Sequence, residues 1–262
     1  MVKSIILMRH AEREDRAAEA EGRDWISTAA RPQDPLLSEK GLRQSEEVGK
    51  QLRDVGVTRI LCSPMVRTVM TAEVIATQLG LGPNSVNVET GLVEEAKSFR
   101  GKTAAEPRPN WNPLVFPLQE LLKYSTHIDP TYVPLLDVQH VRDEAVPNTV
   151  REVHATLTDR DEITRDRCRQ LLERIIASGR FNGETLLLVG HGATVGAIMK
   201  VFEKDLPPES KVTGEKSVSC YSQFKPVDEN NLSGPWKSVT GIWHSGNTIE
   251  GLQGAEDLAD RG

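Results

Sequence analysis

Cysteine is scarce in this chain and follows no pairing pattern. The 262 residues hold three, Cys62, Cys168 and Cys220, far apart and without a C-x-x-C pair. An odd, scattered set argues against a disulfide framework and against a cysteine zinc site, and points to a reducing compartment, with the cytoplasm as the expected location. Long apolar runs are missing too. A membrane-spanning helix needs about 18 or more consecutive apolar residues, and no window approaches that, so no membrane partner is expected. Near the start, Met1 to Ser4 leads into only Ile5, Ile6, Leu7 and Met8 before Arg9. That is too short for the apolar region of a secretory signal. An excess of positive charge is also absent: 32 Lys and Arg stand against 38 Asp and Glu, a net charge of -6. No global field would draw in a nucleic acid, although a local cluster of arginines could still hold a small anion.

What is present is an alternation of short apolar strands and amphipathic helices. Ser4 to Met8 reads as a strand buried on both faces, ending abruptly in Arg9-His10-Ala11-Glu12-Arg13. Residues 14–35 are polar and alanine-rich and read as a surface loop. Ser38 reads as an N-cap, with Leu42, Val48, Leu52 and Val55 at helical spacing and Gly56 as the stop. Arg59 to Cys62 is the next strand, followed by Ser63 as N-cap and Pro64 as first helical position of a helix that runs to Gly80. Val86-Asn87-Val88 is a third strand candidate. Residues 98–150 hold seven of the fifteen prolines and lose the alternation, so they read as an insertion packed over one end of the sheet. A helix, with a break, is expected from Arg151 to Ile176, then a strand over Thr185 to Val189 closed by Gly190-His191-Gly192, and a helix marked by Val195, Ile198, Val201 and Phe202. Short β-like runs follow at Val218 to Phe224 and Val239 to Trp243, then a polar tail at 253–262. With no repeat and no clean linker, the expectation is one domain over 1–262, of α/β class: a three-layer α/β/α sandwich on a mostly parallel sheet.

In parallel sheets ligands bind beyond the carboxyl ends of the strands. Arg9 and His10 end the first strand, Arg67 lies in the first turn after the second, and His191 ends the strand at 185–189. Any one of these has an ordinary structural explanation; three strand ends agreeing on one anion site is what favours function. Arginine matches a phosphoryl group with planar, permanently charged donors, and a helix N-terminus adds unpaired N–H groups. A neutral imidazole is a usable nucleophile near pH 7, and a second, protonated one beside it could hold the transferring oxygens.

The motifs Leu7-Met8-Arg9-His10-Ala11, Leu37-Ser38-Glu39-Lys40-Gly41, Ser63-Pro64-Met65-Val66-Arg67-Thr68-Val69-Met70-Thr71-Ala72 and Leu188-Val189-Gly190-His191-Gly192 resemble, in order, those of the histidine phosphatase superfamily, which includes cofactor-dependent phosphoglycerate mutases. Arg9 through Asp15, Val88 through Glu94 and Tyr132-Val133-Pro134-Leu135 resemble the phosphatase domain of the suppressor-of-T-cell-receptor-signalling and ecdysteroid-phosphate phosphatase proteins. The resemblance implies that His10 takes the phosphoryl group, that Arg9, Arg13, Arg67 and His191 bind it, and that Glu94 protonates the leaving oxygen. It implies a phosphomonoester hydrolase acting on a small phosphorylated substrate or a phosphoprotein, and it suggests a homodimer. No metal or other cofactor is expected, because the arginines already supply positive charge. Two departures stand out. Ala11 replaces the usual glycine, and Glu95 follows Glu94 where the relatives carry an aromatic residue, so Glu95 competes for the role of acid. The alternatives are a mutase, against which Arg13, Glu14 and Asp15 speak, and a catalytically silent phosphate-binding module.

Overall fold

In the computed structural model the described residues are 2–29, 31–94, 116–137, 160–203, 220–227, 236–238 and 244–245. Among these residues seven strands form one sheet: β1 (Ser4–Arg9), β2 (Arg59–Cys62), β3 (Val86–Val88), β4 (Thr185–Gly190), β5 (Cys220–Pro226), β6 (Trp236–Ser238) and β7 (His244–Ser245). Their order is β3-β2-β4-β1-β5-β6, with β7 also on β5. The pairings β3–β2, β2–β4 and β4–β1 are parallel. β5 runs against β1, and β6 and β7 run against β5, so only β5 opposes the common direction.

Period-two alternation divides the core between two faces. Ile5, Leu7, Leu186 and Leu188 pack beneath Leu171, Ile175, Ile198 and Phe202, which belong to helices α5 (Arg160–Ala177) and α6 (Gly192–Glu203). Ile6, Met8, Leu187 and Val189 pack with Val48 of α2 (Glu39–Gln51), Leu52 just after it, and Val69 and Ile75 of α3 (Val66–Leu79). Strands coated on both sides explain why β1 and β4 read as unbroken apolar runs: every residue of both is buried. The three-layer α/β/α sandwich is therefore present.

Two local readings are corrected. Residues 14–35 are not all loop, since α1 (Glu14–Ala20) lies there; it buries only Ala18, so it left no apolar stripe to read. Ser63-Pro64 does not start the next helix. α3 begins at Val66 behind Met65, and its first N–H is capped from a distance by the Asp34 carboxylate, at 3.0 and 3.1 Å. Ser38 does cap α2, its Oγ accepting from Gly41 N–H at 3.0 Å, and Gly56 and Gly80 take left-handed conformations after their helices.

Of the insertion, 116–137 are described, including the one-turn helix α4 (Leu118–Leu121). This stretch borders β3. Val86 N–H donates to His127 O, and Asp129 N–H donates to Val86 O. Glu73 of α3 accepts from Ser125 Oγ, Thr126 Oγ1 and His127 Nδ1 at 2.6–3.0 Å. The rest of 98–150, the expected helical residues 151–159, the run at Val239 to Trp243 and the tail at 253–262 lie outside the described residues.

Candidate active site

The sheet order brings the predicted site together. β4 lies between β2 and β1, so the residues leaving their carboxyl ends are neighbours. The ladder continues one step past the strands: His10 N–H donates to Gly190 O at 2.9 Å, and Ser63 N–H donates to Val189 O at 3.0 Å. His10 and His191 consequently face one another edge on, with ring centroids 5.3 Å apart.

The loop that carries His10 is held on three sides. Ala11 N–H donates to Thr71 Oγ1 of α3 at 3.2 Å, and Glu12 N–H donates to Gln44 Oε1 of α2 at 3.0 Å. Ser38 Oγ donates to the Glu12 carboxylate at 2.8 Å, and Lys40 Nζ stands 3.5 Å from its other oxygen. Gly41 is required here: a Cβ at that position would lie 2.2 Å from the Glu12 carbonyl oxygen. Ala11 is fully buried and has no positive φ, so its methyl group is accommodated without strain.

His10 is almost fully buried and its Nδ1 is 2.8 Å from the Ala11 carbonyl. A carbonyl only accepts, so Nδ1 carries the proton and the lone pair is on Nε2. Burial holds the ring neutral well below the ordinary histidine range, and the charges of Arg67, Arg9 and Arg13 push in the same direction.

Arg67 is the hub. It is 2% exposed. Its Nη1 donates to Asp34 Oδ1 at 3.1 Å, its Nη2 donates to His191 Nδ1 at 3.2 Å, and Nη2 also lies 3.7 Å from Glu94 Oε2. Burial pushes the Arg67 guanidinium down and the Asp34 carboxyl up, each partly offset by the other's charge. Glu94 Oε2 is 3.2 Å from His191 Nδ1. Burial also holds His191 neutral well below its ordinary range, reinforced by Arg67, His10, Arg13 and Arg167. Without an anion, burial and the surrounding positive charge favour the neutral form of the second imidazole. Arg13 is gripped by both oxygens of Asp15 at 2.9 Å, a planar two-point pairing that fixes its direction. Among the described residues no group of three or more His, Cys, Asp or Glu is placed to hold a metal ion.

Residues 5–115 match the family model of the histidine phosphatase superfamily (branch 1). Over these residues, less than half of its length, the chain is similar to that superfamily. A probable phosphoglycerate mutase, GpmB, of Erwinia tasmaniensis is 38% identical over 68 residues, 24% of this chain and 32% of that protein. The probable fructose-2,6-bisphosphatase TIGAR A of Danio rerio is 33% identical over 92 residues, 30% of this chain and 36% of that protein. The match thus spans about a third of each curated relative's length. Among solved structures, the ecdysone phosphate phosphatase EPPase from Bombix mori, in complex with tungstate, superposes with a TM-score of 0.60 at 19% identity, covering 90% of this chain and 92% of that one. Mycobacterial hydrolase 2 superposes with a TM-score of 0.51 at 16% identity, covering 99% of each chain. At such identities the likeness shows the fold alone.

In this structure His10, Arg67, His191 and Glu94 are in one buried cluster, and the charges of Arg9 and Arg13 act on His10. Glu95 lies outside the described residues. The sequence reading missed Asp34, hidden in a stretch read as loop, and the second use of Ser63, whose Oγ is 2.8 Å from His191 Nε2. It also missed Arg167 on α5, whose charge reaches His191 from the opposite layer. Nothing in a charged helical stretch singles that arginine out. The first N–H of α3 is not offered to an anion, because Asp34 already takes it. No helix among the described residues is long and apolar enough to cross a membrane.

Proposed function

We propose that the chain is a metal-independent phosphomonoester hydrolase in which His10 Nε2 attacks phosphorus and becomes transiently phosphorylated. One observation carries this reading: His10 Nδ1 is committed to the Ala11 carbonyl, leaving Nε2 as the free lone pair of a neutral ring beside Arg67, Arg9 and Arg13. A phosphoryl dianion entering this cluster meets fixed positive charge without reorganisation, the arrangement that stabilises the charge of a phosphoryl-transfer transition state. The P–O bond to the leaving oxygen breaks as N–P forms, and Glu94 gives its proton to that oxygen. Water then attacks the phosphohistidine, Glu94 takes a proton back, and inorganic phosphate leaves.

The curated relatives include a probable mutase and a probable bisphosphatase, so transfer to a second hydroxyl is the competing reading. A panel of alkyl and aryl phosphates, assayed for phosphate release with a chelator present, separates the possibilities. The expected result is release from several esters, undiminished by chelator and abolished by His10→Ala. Phosphate moved within a phosphoglycerate without release would favour the mutase. No turnover of any ester would favour a silent binder, and loss of activity in chelator restored by magnesium or zinc would refute metal independence.

A further inference from the structure

The hydroxyl of Ser63 is fully buried, and its partner is the far edge of the second histidine. His191 Nε2 lies 2.8 Å from Ser63 Oγ, and His191 itself is 0% exposed. The other edge of the ring is shared: Arg67 Nη2 hydrogen bonds to Nδ1 at 3.2 Å, and Glu94 Oε2 is also 3.2 Å from Nδ1. A guanidinium has donors and no acceptor. The Arg67 bond makes Nδ1 an acceptor and favours the proton of the neutral ring on the opposite nitrogen, whereas an ionised Glu94 would favour it on Nδ1.

From this we infer that Ser63 is a positioning residue: by accepting the Nε2 proton it holds His191 in the Nε2–H tautomer and leaves Nδ1, the edge shared with Arg67 and Glu94, as the only place the ring can take a second proton. The consequence is directional. When a phosphoryl dianion enters, its charge favours the imidazolium, and the added proton, drawn from solvent, goes onto Nδ1. It is then aimed at the side of the ring where the arginine and the acid stand, rather than into the interior. Without the hydroxyl, Nε2 would be a buried N–H with no acceptor, a loss that favours the other tautomer. In the anion-free site the rearrangement would also set an N–H of the ring against an N–H of Arg67. This also accounts for a residue that looked like a helix cap. Asp34 caps the helix instead, and Ser63 is free for the histidine.

The tautomer rests on the hydrogen-bond geometry of a neutral, buried ring, whereas its use in anion uptake rests on the phosphatase reading above. Both are tested by long-range proton–nitrogen NMR on protein labelled with nitrogen-15 histidine, with His191 assigned by loss of its signals in His191→Gln. In ligand-free wild type at pH 7 the expected pattern is a neutral ring with a protonated Nε2 and a bare Nδ1. Ser63→Ala should shift the population toward the Nδ1–H form and lower kcat roughly tenfold, the scale of one lost hydrogen bond. Ser63→Thr, which keeps the hydroxyl, should restore the wild-type pattern. A wild-type ring protonated on Nδ1, or an unchanged tautomer in Ser63→Ala, would overturn the inference. Should Ser63→Ala not fold, the wild-type protein decides: an Nε2 proton protected from solvent exchange supports the bond to Ser63, and a rapidly exchanging one refutes it. Saturating inorganic phosphate should then convert His191 to the imidazolium, and a ring that stays neutral in the phosphate complex would end its role in anion uptake. None of these spectra requires turnover, so they stand or fall separately from the phosphohistidine at His10.

Discussion

Arg67 ties together groups with opposite needs. Asp34 balances its charge on one side, while on the other it faces the neutral His191 ring and the Glu94 carboxyl group. An acid at this position is useful only when the leaving oxygen needs a proton. Alkoxide is a poor leaving group and nitrophenoxide a good one, and general acid help is worth roughly 10²–10⁴-fold. Glu94→Gln keeps the shape and a hydrogen-bonding oxygen toward Arg67 but cannot deliver the proton. It should slow alkyl phosphates by about that factor and p-nitrophenyl phosphate far less. Steady-state kinetics on the two substrates decide it. Equal slowing of both, or a selective defect in Glu95→Gln instead, would remove Glu94 from the role of acid.

At the scale of elements, the His10 loop owes its shape to α2 and α3. The clearest point is Gly41, where any side chain would strike the Glu12 carbonyl. Gly41→Ala should lower stability by about 1–3 kcal/mol, the cost of forcing an extra methyl group into a packed site, and should lower activity through displacement of His10. Gly82 is the comparison: a methyl group there would meet nothing within 4 Å, and its φ is not positive, so Gly82→Ala should move the urea midpoint very little. An unaffected Gly41→Ala protein would mean that the loop does not depend on this contact. The same elements show what the sequence could disclose. β1, β2 and β4 were legible because strands covered on both faces are apolar through their middles, His10 and His191 because polar residues directly after such strands have no packing role, and Arg67 because it opens the helix after β2. α1 was not, because a helix burying one alanine leaves no periodic signal. Asp34 and Ser63 were not, because their roles depend on partners 33 and 128 positions away, and local sequence suggested commoner uses for both. Glu89 was passed over as part of a motif. It is a fully buried carboxylate that accepts from Gly91 N–H, Tyr132 Oη, Leu135 N–H and Leu136 N–H, fastening the described part of the insertion to the turn that leads to Glu94.

For the molecule as a whole, burying two neutral imidazoles among arginines couples the active site to stability. His10 and His191 both titrate well below 6.5 in the folded chain, from burial first and arginine charge second. Unfolded, they titrate near the ordinary value of about 6.5. Between those limits the unfolded state binds more protons, so stability is fully present above about 6.5 and falls as pH drops through the window toward the folded values. Thermal unfolding followed from pH 7.5 to 5 should show a falling midpoint, and His10→Asn should flatten the decline. A midpoint independent of pH in both proteins would contradict the neutral, buried state of these rings. In the proposed reaction His10 attacks as a neutral ring, so the acid limb of kcat/KM should likewise lie below 6.5.

The central claim is a covalent one, that the phosphoryl group passes through His10. Rapid acid-free quenching of wild-type protein with phosphorus-labelled substrate, followed by peptide mapping, tests it directly. Label should approach one phosphoryl group per active site, stable in base, lost in acid, located on the peptide that contains His10 and absent from His10→Ala. Undiminished label in His10→Ala, or turnover in wild type with no trapped phosphoprotein under conditions where dephosphorylation is rate-limiting, would contradict it.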